Sequence, residues 1–226
     1  MRKYRHELKY IINSRQAEIL KQRLKLVMEI DKNSIYSDNT YLIRSLYFDD
    51  LFSTSYYEKL DGILYRKKYR IRLYNGDTRF IRLECKYKHN NMTSKDQVLI
   101  CKDLCSKILN GNIDDIETDN ELLKSFILDV KTKHIMPSVI VDYKRLAYTY
   151  PISDVRITFD SHIKSGRYNY DLFDNIASFS STMDDNIVVL EVKFNEILPK
   201  HIADILSTVP VYRQAVSKFA LCRSMK

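Results

Sequence analysis

Four cations occupy alternate positions in one short run: Arg66, Lys68, Arg70 and Arg72 within ILYRKKYRIRLY. The run alternates as a strand does, and in a strand residues two apart point the same way. All four charges then share one face, where like neighbours repel. Such a row is explained if an anion lies across it. The alternative is a solvent face of an open sheet, covered by helices on its other side.

The same pattern recurs along the chain. Arg5 to Ile12 puts Arg5, Glu7 and Lys9 on one face and His6, Leu8, Tyr10 and Ile12 on the other. Arg79 to Lys88 puts Arg82, Glu84, Lys86 and Lys88 together. Strands are also expected over Tyr41–Asp49, Lys95–Ile100, Ser138–Thr149, Asp154–Asp160 and Asn186–Phe194. In these, Arg145 joins Val139, Val141 and Tyr143, Arg156 joins Thr158 and Asp160, and Glu191 joins Lys193. About eight strands are enough to close a small barrel. Helices are expected over 14–28, from Asp49-Asp50 to Leu60, and over 102–110, where Gly111 follows as a stop. Others are expected over 121–131, 199–207 and 212–225. The stretch 161–186 reads as a long connection with short strands or a lid. No linker divides the chain, so residues 1–226 read as one α+β domain.

Composition narrows the chemistry. Only four Gly are present, and they build neither a GxxxxGK[ST] nor a GxGxxG phosphate cradle. The four Cys include no CxxC pair, so structural zinc and a disulfide framework are not expected. The start, MRKYRHELKY, has no apolar core of a secretory signal. No apolar stretch has the length of a membrane span. These features point to the cytoplasm. A net charge of +8 would bind RNA non-specifically, but no RNP1 run or GxxG loop is present, so a specific nucleic-acid partner is not expected.

Arginine on the charged faces suits phosphate, because the guanidinium fork grips oxyanions bidentately and stays charged. The glutamates beside the lysines would repel phosphate unless a divalent metal bridges the two. Mg²⁺ is usually held by one or two carboxylates plus substrate phosphates. The pattern therefore suggests phosphoryl transfer or phosphoanhydride hydrolysis without a P-loop.

The segments RHELKY, SLYFD, KYRIRLY, LECK, YKRLAY, DVRITFD, LEVKF and SKF, in this order, resemble the VTC polyphosphate polymerase domain of the triphosphate tunnel metalloenzyme superfamily. The resemblance runs from residue 5 to about 222. It implies an antiparallel eight-stranded tunnel with a charged interior and helices packed outside. It implies transfer of the ATP γ-phosphate to a growing polyphosphate chain with Mn²⁺ or Mg²⁺. By the same resemblance, Lys9, Arg70, Arg72 and Lys218 act on the reacting phosphates. Lys86, Arg145 and Arg156, and more weakly Lys95, bind substrate; Arg66 and Lys193, on the same charged faces, are taken as substrate contacts too. Glu191 is the implied metal ligand, and Glu7 and Glu84 are weaker candidates for it. The sister hydrolases and cyclases begin with ExExK, whereas here Arg5 replaces the first Glu and gives RxExK. That departure favours the polymerase branch over a triphosphatase. A non-catalytic polyphosphate-binding module is the third reading. Coupling to export would need a separate membrane protein.

Overall fold

A computed structural model describes residues 2–32, 38–166, 168–174 and 179–225. In chain order the elements are β1 (Arg5–Asn13), α1 (Ser14–Leu24), β2 (Glu29–Ile30), β3 (Thr40–Asp49), α2 (Thr54–Leu60), β4 (Tyr65–Tyr74), β5 (Asp77–His89) and β6 (Met92–Ile100). Then come α3 (Lys102–Leu109), α4 (Glu121–Lys133), β7 (Met136–Tyr150), β8 (Val155–Ser165), β9 (Ser180–Ser181), β10 (Ile187–Phe194), α5 (Lys200–Leu206) and α6 (Lys218–Arg223). The fold is α+β. Eight strands are hydrogen-bonded in a ring, β7-β3-β4-β5-β6-β1-β10-β8, which the β7–β8 pairing closes. Every pairing is antiparallel, and β2 and β9 attach at the margins.

Local chemistry explains the connections. β4 and β5 are joined through Asn75 (φ 54°) and Gly76 (φ 69°). An Asn-Gly pair with both φ positive matches the twist of the flanking strands. β5 and β6 turn at Asn90, also at positive φ. Asn13 caps α1, accepting a hydrogen bond from the Gln16 N–H while the Gln16 side chain accepts one from the Asn13 N–H.

Three apolar clusters hold the ring. The first packs α1 and α5 against the outer face of β7, β8 and β10, with Leu20, Leu24, Ile157, Leu190 and Ile202 fully buried. The second packs α3 and α4 on β3, β4 and β5 through Phe126, Ile71, Leu83 and Cys105. Leu172, from the connection after β8, is buried in it. The third lies on the opposite face of the strands: Ile43, Val139, Val141 and Val189 pack on Phe219 and Cys222 of α6. All four cysteines are free thiols, and only Cys101 is exposed.

Several expected boundaries move. The last helix is confined to 218–223, because the chain before it runs extended beside β1. There Arg213 bridges Tyr10, and the Gln214 N–H bonds the Lys9 carbonyl at 2.9 Å. α6 also departs from the expectation that all helices lie outside, since Lys218 and Phe219 face the cavity described below. α1 stops at Leu24 in place of 28, and tight turns carry the chain on to Met28. α2 starts at Thr54. The two aspartates expected to open it accept from its first amides instead: Asp49 from Ser55 and Tyr56, Asp50 from Thr54. The fifth expected strand begins at Met92, earlier than Lys95. The expected lid region 161–186 holds the end of β8 and β9; residues 167 and 175–178 of it lie outside the described residues.

Candidate functional site: a cavity lined by lysine and arginine

The strand alternation that buries Ile71, Leu83 and Leu190 on the outer clusters turns their neighbours the other way. Those neighbours line a cavity of about 930 Å³. β1 contributes Arg5, Glu7 and Lys9; β4 contributes Lys68, Arg70, Arg72 and Tyr74; β5 contributes Phe80, Arg82 and Lys86. Arg145 of β7, Arg156 of β8, Glu191 and Lys193 of β10 and Lys218 of α6 complete the wall. Fourteen Lys and Arg side chains face this space against three carboxylates. A smaller cavity of about 420 Å³ adjoins it, shares Glu7, Lys9, Lys68 and Lys86, and is otherwise walled by Lys59, Arg66, Lys88, Asn91 and residues 213–217.

The cations are held by a few buried carboxylates. Glu84, fully buried, accepts from Arg70 Nε at 2.7 Å and from Lys95 Nζ at 2.6 Å, with Arg72 at 4.0 Å. Burial alone would raise its carboxyl pKa. Arg70, Arg72 and Lys95 outweigh burial and hold it well below the usual range. Asp160, also fully buried, takes both arms of Arg145 at 2.6 and 2.7 Å, and Lys218 at 2.5 Å. Arg145 and Asp160 are direct cross-strand partners, so the sheet register itself makes this bidentate pair. Glu7 accepts from Lys86 at 2.6 and 2.8 Å and from Thr93 at 3.0 Å. Lys9 lies between Glu7 (3.1 Å) and Glu191 (3.6 Å), and Lys193 also pairs with Glu191. Burial opposes the charge on Lys9, but Glu7 and Glu191 raise its pKa above the ordinary value.

Two tyrosines complete the arginine network. Tyr47 accepts from Arg70 Nη1 at 2.9 Å, and Tyr143 accepts from Arg72 Nη2 at 3.1 Å. Arg72 Nε donates to Ser45 Oγ at 2.9 Å. Arg156 pairs with Asp31 and donates to the Tyr41 hydroxyl at 2.9 Å. Lys68, like Arg5 and Arg82 of the same wall, makes no such pair among the described residues. No described carboxylate lies within ion-pair reach, and its ammonium sits 4.2 Å from the centre of the Phe219 ring. Burial, followed by the charge of Arg66, lowers its pKa to about 7.

Of the residues singled out in the sequence, Lys9, Arg70, Arg72, Lys86, Lys95, Arg145, Arg156, Lys193, Lys218, Glu7 and Glu191 all reach the larger cavity. Arg66 lines only the smaller one. Glu84 lines neither; it sits behind Arg70 and Lys95 as their counter-ion. Asp160, Tyr47, Tyr143 and Lys68 were not singled out as site residues. Asp160 and Lys68 lie on the strand faces that the alternation assigns to the charged side. Among the described residues, no group of three or more His, Cys, Asp and Glu forms a protein-only metal cage. Glu7 and Glu191, joined by Lys9, remain as a two-carboxylate donor set of the kind that shares a divalent ion with a phosphate.

A ring of eight antiparallel strands around such a cavity defines the class, the fold of the triphosphate tunnel metalloenzymes. The VTC domain profile matches residues 4–225, and the chain belongs to that family. No curated protein sequence matches it. A Bacillus halodurans protein provisionally assigned as an adenylate cyclase is similar in structure, with a TM-score of 0.52 and 12% identity over 92% of this chain and 88% of that one. The PH1819 protein of Pyrococcus horikoshii aligns over 98% of this chain and 100% of its own, at 14% identity and a TM-score of 0.48.

Proposed function

We propose that residues 1–226 act as one cytoplasmic unit, a metal-dependent polyphosphate polymerase that moves the γ-phosphate of ATP onto a polyphosphate chain inside a charged tunnel. The observation that carries this reading is the convergence of cations from seven of the eight ring strands, and from α6, on one cavity. A polyanion offsets their mutual repulsion at many points at once.

In this reading Arg70 and Arg72 grip successive phosphates. They are two apart on β4, about 6.5–7 Å by strand rise, wider than one P–O–P link, so their long arms converge on the chain. Lys9, Lys86, Lys95, Arg145, Arg156, Lys193 and Lys218 neutralise the remaining oxygens. The attacking atom is a terminal phosphate oxygen of the chain, already ionised near neutral pH, so no general base is required. A new P–O bond forms to the γ-phosphorus. The bond to the β–γ bridging oxygen breaks, and ADP leaves with the electron pair. Catalysis is then positioning and charge neutralisation by prearranged groups. Glu191 and Glu7 would hold Mn²⁺ or Mg²⁺ together with the phosphates, and the ion would supply further neutralisation of developing charge. Lys9 and Lys193 hold those carboxylates ionised and ready, as the depressed Glu191 pKa reflects: burial raises it, and Lys193 and Lys9 more than reverse that.

The cavity position of Arg5 supports transfer over hydrolysis, because a guanidinium stands where the hydrolytic sequence pattern places a metal-binding carboxylate. The test is incubation of the pure protein with ATP and Mn²⁺. Long polyphosphate on a gel is expected. Orthophosphate alone would make the protein a triphosphatase, and no turnover with tight triphosphate binding would make it a binding module.

A further inference from the structure

The two ends of the cavity system differ in one respect beyond charge. At the end formed by the β4–β5 turn, aromatic rings face the space: Tyr74, Phe80 and Tyr41. The wall of the smaller cavity has no aromatic side chain among the described residues. Phe80 lies in the same alternation of β5 as Arg82, Glu84 and Lys86. Its neighbour Ile81 is fully buried on the opposite face. Phe80 itself is 50% exposed at the cavity edge. Arg79 lies 5.9 Å from its ring centre, and Arg82 lies 5.2 Å from that of Tyr74. Phe80 is two residues beyond Arg82, which pairs directly with Arg72. It therefore sits about 6.5–7 Å further along the strand than the phosphate-gripping row, in the direction in which a nucleotide's sugar and base would extend.

We propose that Phe80 is the stacking platform for the nucleobase of a nucleoside triphosphate, which enters at the β4–β5 end with its phosphates leading toward Arg72 and Arg70. The proposal rests on the triphosphate-binding reading above and adds the nucleoside and its orientation. A half-exposed phenyl ring flanked by a guanidinium is the arrangement that sandwiches a flat π system. Nearby amides are already engaged. Asn75 Oδ1 accepts from the Leu42 amide, and Gln97 Oε1 accepts from Lys95. The contact assigned to Phe80 is with a ring face and not with a base edge. ATP and GTP should therefore bind alike, and pyrimidine nucleotides, with less surface to stack, more weakly.

The test is calorimetric titration of wild type, Phe80→Ala and Phe80→Tyr with ATP, GTP, UTP and inorganic triphosphate at one fixed ionic strength. Phe80 is outside the apolar clusters, so all three proteins should melt alike. The expected result is a loss of about fivefold or more in ATP and GTP affinity in Phe80→Ala. Inorganic triphosphate should be unaffected, and Phe80→Tyr should restore purine binding. Unchanged ATP affinity in Phe80→Ala, with triphosphate still binding, would overturn the platform alone. An equal loss for ATP and triphosphate would also overturn it, since the ring would then be supporting the phosphate site. Absence of triphosphate binding to wild type would overturn the phosphate reading and the platform with it.

Discussion

The smaller cavity shares β1, β4, β5 and β6 with the larger one, yet the two present different chemistry. Arg5, Arg70, Arg72, Arg79, Arg82, Arg145 and Arg156 line the larger one beside seven lysines, and the innermost of these arginines are fixed by buried carboxylates. The smaller one is walled mainly by lysines, Lys9, Lys59, Lys68, Lys86 and Lys88, with Arg66 and Arg213. Among its described residues, only Glu7 opposes them. An arginine fork held by a carboxylate is preorganised, keeps its charge at any working pH and fixes phosphate geometry. A lysine is a mobile point charge whose proton comes off when it is buried among like charges. In the proposed reading, one end orients an anion and the other attracts one without fixing it.

The most severe way to break this contrast is to remove a counter-ion. Glu84→Gln keeps the volume but leaves Arg70, Arg72 and Lys95 buried around a neutral amide. Breaking a buried pair in this way costs about 3–5 kcal/mol. For a chain of this size, that lowers the melting temperature by on the order of 10 °C. Added triphosphate should recover more of the loss than it gains for wild type. A melting temperature within about 2 °C of wild type would show that these arginines do not depend on Glu84.

Next in size is the difference between an arginine at each end. Arg72 is 4% exposed and bonds Ser45 and Tyr143, whereas Arg66 is half-buried and reaches only the Ile63 carbonyl. Arg72→Lys, and likewise Arg70→Lys, should cost about 10- to 150-fold in kcat/KM, equivalent to about 1.5–3 kcal/mol. Arg66→Lys should cost less than about threefold, because a point charge suffices where no fork is formed. Steady-state kinetics on ATP decides this, and equal losses at both positions would erase the distinction.

Much of this arrangement is legible in the sequence, for a physical reason. Strand alternation alone assigns faces, so Arg70, Arg72, Lys86 and Glu191 could be placed together without knowing the register. The pairing of Asp160 with Arg145 could not, because it depends on which residues of β7 and β8 lie opposite each other. The stretch 212–217 carries helix-compatible residues, but its backbone is drawn extended against β1 by the Arg213 and Gln214 contacts, a tertiary effect. A tyrosine on an inner strand face, such as Tyr47 or Tyr143, is expected to pack. Both do pack, and their hydroxyls also meet guanidinium donors that local pattern does not reveal.

Ligand stabilisation is a smaller effect. At about 100 times its dissociation constant, triphosphate should add about 2.7 kcal/mol, on the order of 5–10 °C in melting temperature. Sulfate at equal ionic strength should do far less, because one tetrahedral ion cannot span the arginine row. Equal shifts would mean that the cavity responds only to bulk screening.

The smallest expected effect is a pH dependence centred on Lys68, which lines both cavities. Lys68 faces Arg66 on its own strand, Lys59 of α2, Lys86 of β5, Asp49 at the end of β3 and the Phe219 ring of α6. Burial and the neighbouring cations bring its pKa from 10.5 to about 7. The folded state therefore binds fewer protons than the unfolded chain between about pH 7 and 10.5. Stability contributed by this group consequently rises with pH across that window. Anion binding runs the other way. A phosphate beside Lys68 favours the charged form, so affinity is greatest below pH 7 and falls as the proton is lost above it. Polyphosphate affinity should decline by about two- to tenfold between pH 6 and 8.5, at most one pKa unit of coupling. The decline should flatten in Lys68→Arg, which stays charged, and in Lys68→Ala, which never is. If Lys68→Arg keeps the wild-type slope, the titrating group lies elsewhere, and Lys193 of the larger cavity is the other lining lysine that burial brings down to about 7.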